Sequence, residues 1–256
     1  MTPRTGGVYG ALRQRRLPPE ESDMAVILSV KDLTVVIDGR TILEGVTFDL
    51  EQGSNLAIIG PNGSGKTVLL RCLLGIMPYS GVVHWASGVK RGYVPQRVDA
   101  DRQLPLTIGE LLHAKCRVMH FPLTELQSVE ELVGLTPDIL NSPVGSLSGG
   151  QFQKSLIAFA LLGRPEVMLL DEPTTSLDQL TEERVYELMH RLQQKLGLTF
   201  IVVSHDLTMV YRYANQVLCL NRQGLCFGPP KEVLTPQALQ TLYGEHHHFY
   251  EHHHGS

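Results

Sequence analysis

The segment Gly60-Pro61-Asn62-Gly63-Ser64-Gly65-Lys66-Thr67 fits G-x-x-x-x-G-K-[ST] without a mismatch. Its glycines let the backbone curl so that successive N–H groups point inward at phosphate oxygens. Lys66 supplies a cation for the β and γ phosphates, and Thr67 a hydroxyl for Mg²⁺. The helix running on through Val68 turns its positive end toward the anion. Further along, the apolar run Val167–Leu170 ends in Asp171-Glu172, followed by Pro173. Carboxylates at the end of a buried strand stand where ligands bind in open α/β sheets. Asp171 suits Mg²⁺ coordination through water. Glu172 suits general-base polarisation of an attacking water. A second apolar strand ends in Ser204-His205-Asp206. A lone histidine is usually structural, but after a parallel strand and downstream of two carboxylates His205 can hydrogen-bond a terminal phosphate. Finally, Leu147-Ser148-Gly149-Gly150-Gln151 opens a helix with Phe152, Leu156, Phe159 and Gly163 on one face. Ser148 and Gln151 have capping-box spacing, and the two glycines leave amides uncovered at a helix start, a second anion site. The simplest use for it is another copy's nucleotide across a dimer interface.

These groups need a frame. Ala25–Val30, Leu33–Ile37 and Val46–Leu50 read as strands, with Asp38-Gly39 a hairpin turn. Asn55–Ile59 reads as a strand buried on both faces, leading into the glycine-rich loop and a helix over Val68–Leu74 that Gly75 stops. From about 98 to 165 the chain is helical, broken at Pro105, Pro122, Pro137 and Pro143. Val185, Leu188, Met189, Leu192 and Leu196 then make one apolar helix face, Gly197 ends that helix, and Leu198–Val203 is another buried strand. Strands alternating with helices predict a parallel α/β core.

Composition narrows the classes. The 256-residue chain is 43% hydrophobic and carries a formal net charge of −4, with 26 Asp+Glu against 22 Lys+Arg. That balance excludes disorder over the whole length and argues against a broadly basic nucleic-acid binder. No apolar run approaches the roughly 18–20 residues that cross a bilayer. The four cysteines, Cys72, Cys116, Cys219 and Cys226, show no metal or redox spacing, which predicts reduced thiols acting as small hydrophobes. Residues 1–23 carry four Arg and no apolar periodicity, and are expected to be a disordered extension ahead of a domain over 24–235. Six of the eleven histidines lie between His246 and His254, in a tail taken to begin at 236.

Taken in order, GPNGSGKT (Gly60–Thr67), Gln96 in GYVPQ, LSGGQ (Leu147–Gln151), LLDEP (Leu169–Pro173), SLD (Ser176–Asp178) and SHD (Ser204–Asp206) resemble the ATP-binding-cassette (ABC) ATPases over roughly 27–234. The resemblance implies an α/β fold of the P-loop NTPase cassette type: a mixed sheet core, an antiparallel β subdomain and an inserted α-helical subdomain. It implies ATP and Mg²⁺ as ligands, with Gly60–Thr67 and Val68 around the nucleotide and Thr67, Gln96 and Asp171 near the metal. Glu172 would be the catalytic base and His205 the γ-phosphate contact, and Gln96 would relay nucleotide state. Ser148, Gly149, Gly150 and Gln151 would meet the γ-phosphate of the opposite subunit, and Asp178 would contact the other protomer. Two positions depart from the family pattern. Ile37 stands where an aromatic ring stacks on adenine, and Phe159 where a basic residue is usual.

A single cassette without a membrane span resembles the ATPase component of an importer, at the cytoplasmic face of the membrane. Its implied partners are a second copy, integral-membrane permease subunits touching the region around Gln96–His120, and an extracytoplasmic substrate-binding protein; no nucleic acid is implied. Gly92–Leu112 and Ser204–Thr235 look like zinc/manganese-type metal importers. Iron-siderophore or cobalamin import is an alternative within transport, and a soluble ABC ATPase acting on DNA or ribosomes is one outside it. The motifs alone do not separate import from export. In the tail, imidazoles and carboxylates suit metal buffering, against the plainer readings of a solvated tail or an affinity tag.

Overall fold

Twelve-residue strands open the described chain: β1 (Val26–Ile37) and β2 (Arg40–Glu51) are joined by a turn at Asp38-Gly39. The computed structural model describes residues 25–96 and 106–244. The expected extension at 1–23, the stretch 97–105 and the histidine cluster from His246 lie outside the described residues. The chain divides into two units, Met1–Leu28, Asp49–Asn55 and Trp85–Val202 in one, and Ser29–Phe48, Leu56–His84 and Val203–Ser256 in the other.

The second unit carries most of a three-stranded sheet in the order β2-β1-β4, with β4 at Ser80–Trp85. The two strands expected over 25–37 are one, because Asp32 passes through a left-handed backbone (φ 50°) without leaving the sheet. Thr47 and Gly81 hold that kink. The Asp32 amide donates to Thr47 Oγ1 at 2.9 Å, and a Cβ on Gly81 would lie 2.4 Å from the Asp32 carbonyl oxygen. This unit also contains β3 (Asn55–Ile59, its first residue excepted), buried throughout, which pairs in parallel with β8 (Gln216–Asn221). β8 pairs antiparallel with β9 (Gln223–Gly228), so the sheet here is mixed. Helices α1 (Lys66–Leu74), α7 (Leu207–Tyr213), α8 (Pro230–Val233) and α9 (Pro236–Tyr243) complete it. Leu239 and Leu242 of α9 are buried in one cluster with Ile59, Val217 and Cys219. Residues 236–243, expected to open the tail, therefore pack into the core as α9.

In the first unit β5 (Arg91–Val94), β6 (Val167–Asp171) and β7 (Thr199–Val203, its last residue excepted) lie side by side, β5 and β6 in parallel. The helical region expected from about 98 to 165 appears as α2 (Ile108–Val118), α3 (Leu123–Val133), α4 (Pro137–Asn141) and α5 (Gly149–Leu161). Pro122 and Pro143 fall between helices, whereas Pro137 opens one, as the missing N–H at a first turn permits. The long helix α6 (Gln179–Leu196) buries Val185, Leu188, Met189 and Leu192 and ends at Gly197 in the left-handed region, as the periodicity predicts. On α5 the buried face is Ile157, Ala158 and Leu161; Phe152, Leu156 and Phe159 are only half-buried, so the face read from the sequence is the flank. Glu125 of α3, buried, accepts from the Gly163 amide at 3.2 Å and pairs with the Arg164 guanidinium at 3.1 Å, tying α3 to the chain leaving α5.

The cysteine expectation is overturned in part. Cys219 and Cys226, seven residues apart, stand opposite each other on β8 and β9 and form a disulfide. Strand register, invisible to a spacing rule, brings them together. Cys72 and Cys116 are buried free thiols, as expected.

Candidate functional site

In the second unit, buried β3 delivers the chain to Gly60, whose left-handed φ of 154° only glycine adopts readily. A Cβ there would sit 2.0 Å from the Leu220 carbonyl oxygen. The loop closes on itself: the Ser64 amide donates to the Pro61 carbonyl at 3.2 Å, and Lys66 Nζ donates to the Gly60 and Pro61 carbonyls at 2.8 and 3.1 Å. Gly65 (φ 99°) starts α1 with no side-chain cap, and the first turn of α1 holds no acidic residue. Uncapped amides at the start of a helix whose first turn carries no acidic residue form an anion site. Ser64 Oγ, buried, has no hydrogen-bond partner among the described residues, and a phosphate oxygen is the kind of acceptor that would satisfy it. The loop therefore fits a nucleotide's phosphates.

Ile37 is 38% exposed at the end of β1, an apolar surface available to a base but with no ring. After β7, Ser204 Oγ accepts from the Asp206 amide, and Asp206 caps α7 by accepting from the Met209 amide at 3.1 Å. Those two bonds hold the exposed His205 between them. Sequence reasoning missed three supports of the loop. Leu220 bounds Gly60, the Arg222 amide donates to the Ser64 carbonyl at 3.2 Å, and Tyr243 packs against the cluster that includes Ile59. Burial pushes the Tyr243 phenol up, and the Gly60 backbone works in the opposite direction.

In the first unit, parallel register does the positioning. Val94 of β5 stands opposite Leu170 of β6, and two residues beyond each come Gln96 and Glu172. Gln96 Nε2 donates to Glu172 Oε2 at 2.7 Å, and Thr175 Oγ1 donates to the same oxygen at 2.9 Å. Glu172 holds a left-handed backbone (φ 46°), a conformation that costs a non-glycine residue about 1–3 kcal/mol and collects at functional sites. Asp171 closes β6 with 1% exposure. Thr175 was not foreseen. Its signal was a hydroxyl three residues after the second acid.

The helix start at Ser148 forms as its capping spacing predicts. Ser148 Oγ accepts from the Gln151 amide at 3.3 Å, and the Ser148 amide donates to Gln151 Oε1 at 2.9 Å. The glycines have a second reason: a Cβ on Gly149 would meet Leu177 Cδ2 at 2.7 Å, and one on Gly150 would meet Thr181 Cγ2 at 2.5 Å. Asp178 caps α6, accepting from the Thr181 amide at 3.0 Å and the Thr181 hydroxyl at 2.7 Å. Those bonds, the hydroxyl first, lower its carboxyl below the usual range. At Phe159, Lys115 of α2 lies 4.1 Å from the ring centroid and donates to the Phe159 carbonyl. Burial lowers the Lys115 ammonium's pKa.

Together these units define an α/β ATPase of the cassette type, with a phosphate-binding loop, an acidic strand end and a capped glycine helix start. Residues 43–175 match the ABC transporter family. The zinc import ATP-binding protein of Magnetococcus marinus is 40% identical over 240 residues, covering 89% of this chain and 91% of that one. The zinc import ATP-binding protein of Chromohalobacter salexigens is 38% identical over 219 residues, covering 85% and 90%. Among solved structures, an inward-facing metal-chelate type ABC transporter superposes with a TM-score of 0.78 at 30% identity, covering 86% of this chain and 89% of that one. The chain belongs to the ABC transporter family, as an ATP-binding, ATP-hydrolysing cassette. Among the described residues no helix is long and apolar enough to cross a membrane.

Proposed function

We propose that this chain powers import of a divalent metal ion, zinc foremost, through a separate membrane permease. The observation that carries the reading is 38–40% identity to zinc import ATP-binding proteins across nearly the whole chain. The motif residues are intact beside it. Two copies close head to tail at the cytoplasmic face of the membrane, each LSGGQ helix facing the other copy's nucleotide. An extracytoplasmic binding protein delivers the metal to the permease, and nucleic acid plays no part.

In this reading the Gly60–Thr67 amides and Lys66 bind the ATP phosphates, Val68 continues the helix behind them, and Ile37 contacts the base. Thr67 in one unit, and Gln96 and Asp171 in the other, each offer an oxygen donor of the hard kind that Mg²⁺ takes. Bound there, Mg²⁺ would supply charge neutralisation for the nucleotide's phosphates. Glu172, aimed by Gln96 and Thr175, takes a proton from the attacking water, and His205 donates to the γ-phosphate. Ser148, Gly149, Gly150 and Gln151 present amides to the partner's γ-phosphate, with Asp178 beside the same interface. Closure drives the permease and hydrolysis reopens the pair.

The test of the base is Glu172→Gln. Steady-state hydrolysis falls at least about a hundredfold, the scale of losing a general base, while ATP binding persists and an ATP-bound dimer accumulates on size exclusion. Ordinary turnover in this variant removes Glu172 from the role.

A further inference from the structure

β8 joins two features of the second unit that the ATPase chemistry leaves unconnected. On one side it faces β9, where Cys219 and Cys226 are opposite one another and bonded. On the other it pairs with β3, where Cys219 stands opposite Ile59, the residue before Gly60. The next residue, Leu220, sets its carbonyl oxygen where a Gly60 Cβ would be only 2.0 Å away. Two residues further, Arg222 in a left-handed backbone (φ 64°) donates its amide to the Ser64 carbonyl at 3.2 Å. Residues 219–222 thus form the floor of the phosphate loop. The β8–β9 register shifts between Cys219 and Leu220, so the ladder is irregular where that floor begins. The disulfide clamps the strand at this irregular point.

Access is asymmetric. Cys219 is 1% exposed, whereas Cys226 is half-buried and reachable. The other two cysteines compete poorly, for both are buried and desolvation pushes the Cys72 thiol up to about 11.

We propose that Cys219 and Cys226 are a reversible dithiol–disulfide site, exchanging with low-molecular-weight disulfides, and that its state sets how firmly the phosphate loop holds ATP. The Cys226 thiolate attacks the small disulfide, forming a mixed disulfide and releasing one small thiol. The Cys219 thiolate then attacks Cys226 Sγ, closing the protein disulfide and releasing the second. Two electrons pass to the small disulfide, and the two cysteine protons end on the two small thiols. Clamped, the floor is ordered before ATP arrives; reduced, part of the binding energy goes into ordering it. The coupling rests on reading Gly60–Thr67 as the nucleotide site; the thiol chemistry does not.

The test uses the full chain in two preparations, fully reduced and then treated with oxidised glutathione. Reactive thiols are counted by alkylation and mass measurement, and MgATP affinity by calorimetry. Oxidation is expected to remove two alkylation sites, mapped to Cys219 and Cys226, and to tighten MgATP binding roughly three- to tenfold, the scale of preorganising one loop segment. Cys226→Ser is expected to hold one affinity under both treatments. The proposal is overturned if both thiols remain alkylatable after oxidation, if the bond forms with no change in affinity, or if Cys226→Ser shifts as the wild type does. Absence of ATP binding in both states overturns the loop reading and the coupling with it, while the alkylation count still decides the dithiol site.

Discussion

At the scale of single residues, Glu172 is held more tightly than a strand end requires. Two donors from different segments converge on one carboxylate oxygen, Gln96 at 2.7 Å and Thr175 at 2.9 Å, while the Glu172 backbone sits in the left-handed region. That arrangement fixes the carboxylate that the proposed mechanism uses as a base. Thr175→Val removes one donor at nearly constant volume. It should lower kcat for ATP roughly tenfold with little change in KM, the mark of lost orientation and not lost binding, and Thr175→Ser should restore it. Steady-state kinetics at saturating MgATP checks this. Residues named by motif were legible because their chemistry dictates their spacing: Lys66, Asp171, Glu172 and the Ser148–Gln151 cap. Thr175, Thr181, Leu220 and Tyr243 were not, since each matters only through a neighbour that the fold supplies.

At the scale of elements, the start of α5 and the start of α6 are one construction. Ser148 caps the first and Asp178 the second, and Gly149 and Gly150 let Leu177 and Thr181 approach. Gly150→Ala forces a Cβ to 2.5 Å from Thr181 Cγ2. Overpacking of this kind costs about 1–3 kcal/mol, so a lower melting temperature and reduced hydrolysis should appear together. Adding Thr181→Ser deletes the clashing methyl, keeps the hydroxyl bonded to Asp178, and should recover most of the melting temperature by thermal denaturation. The buried strands β3 and β6 and the helices stopped by glycine, α1 and α6, were readable, whereas β8, though mostly buried, was not. β4, β5 and β9 were not, because short strands with exposed alternate residues carry little periodicity. α9 was assigned to a tail because its two buried leucines acquire meaning only against β8. The Cys219–Cys226 pair went unread for the same reason: cross-strand register is a tertiary fact.

At the scale of the whole molecule, each unit carries its own share of the motif residues: one the phosphate loop and His205, the other Gln96, the acidic pair and the LSGGQ helix. The chain belongs to the ABC transporter family, and zinc is the cargo proposed from its similarity to zinc import proteins. The most direct measurement is uptake of radiolabelled zinc into vesicles that contain the cognate permease, with this chain and MgATP on the side that hydrolyses. The account predicts zinc accumulation that requires ATP, stops with Glu172→Gln, and stimulates hydrolysis as it proceeds. ATP hydrolysis that continues unchanged with the permease and zinc present, and no zinc accumulation, would contradict it.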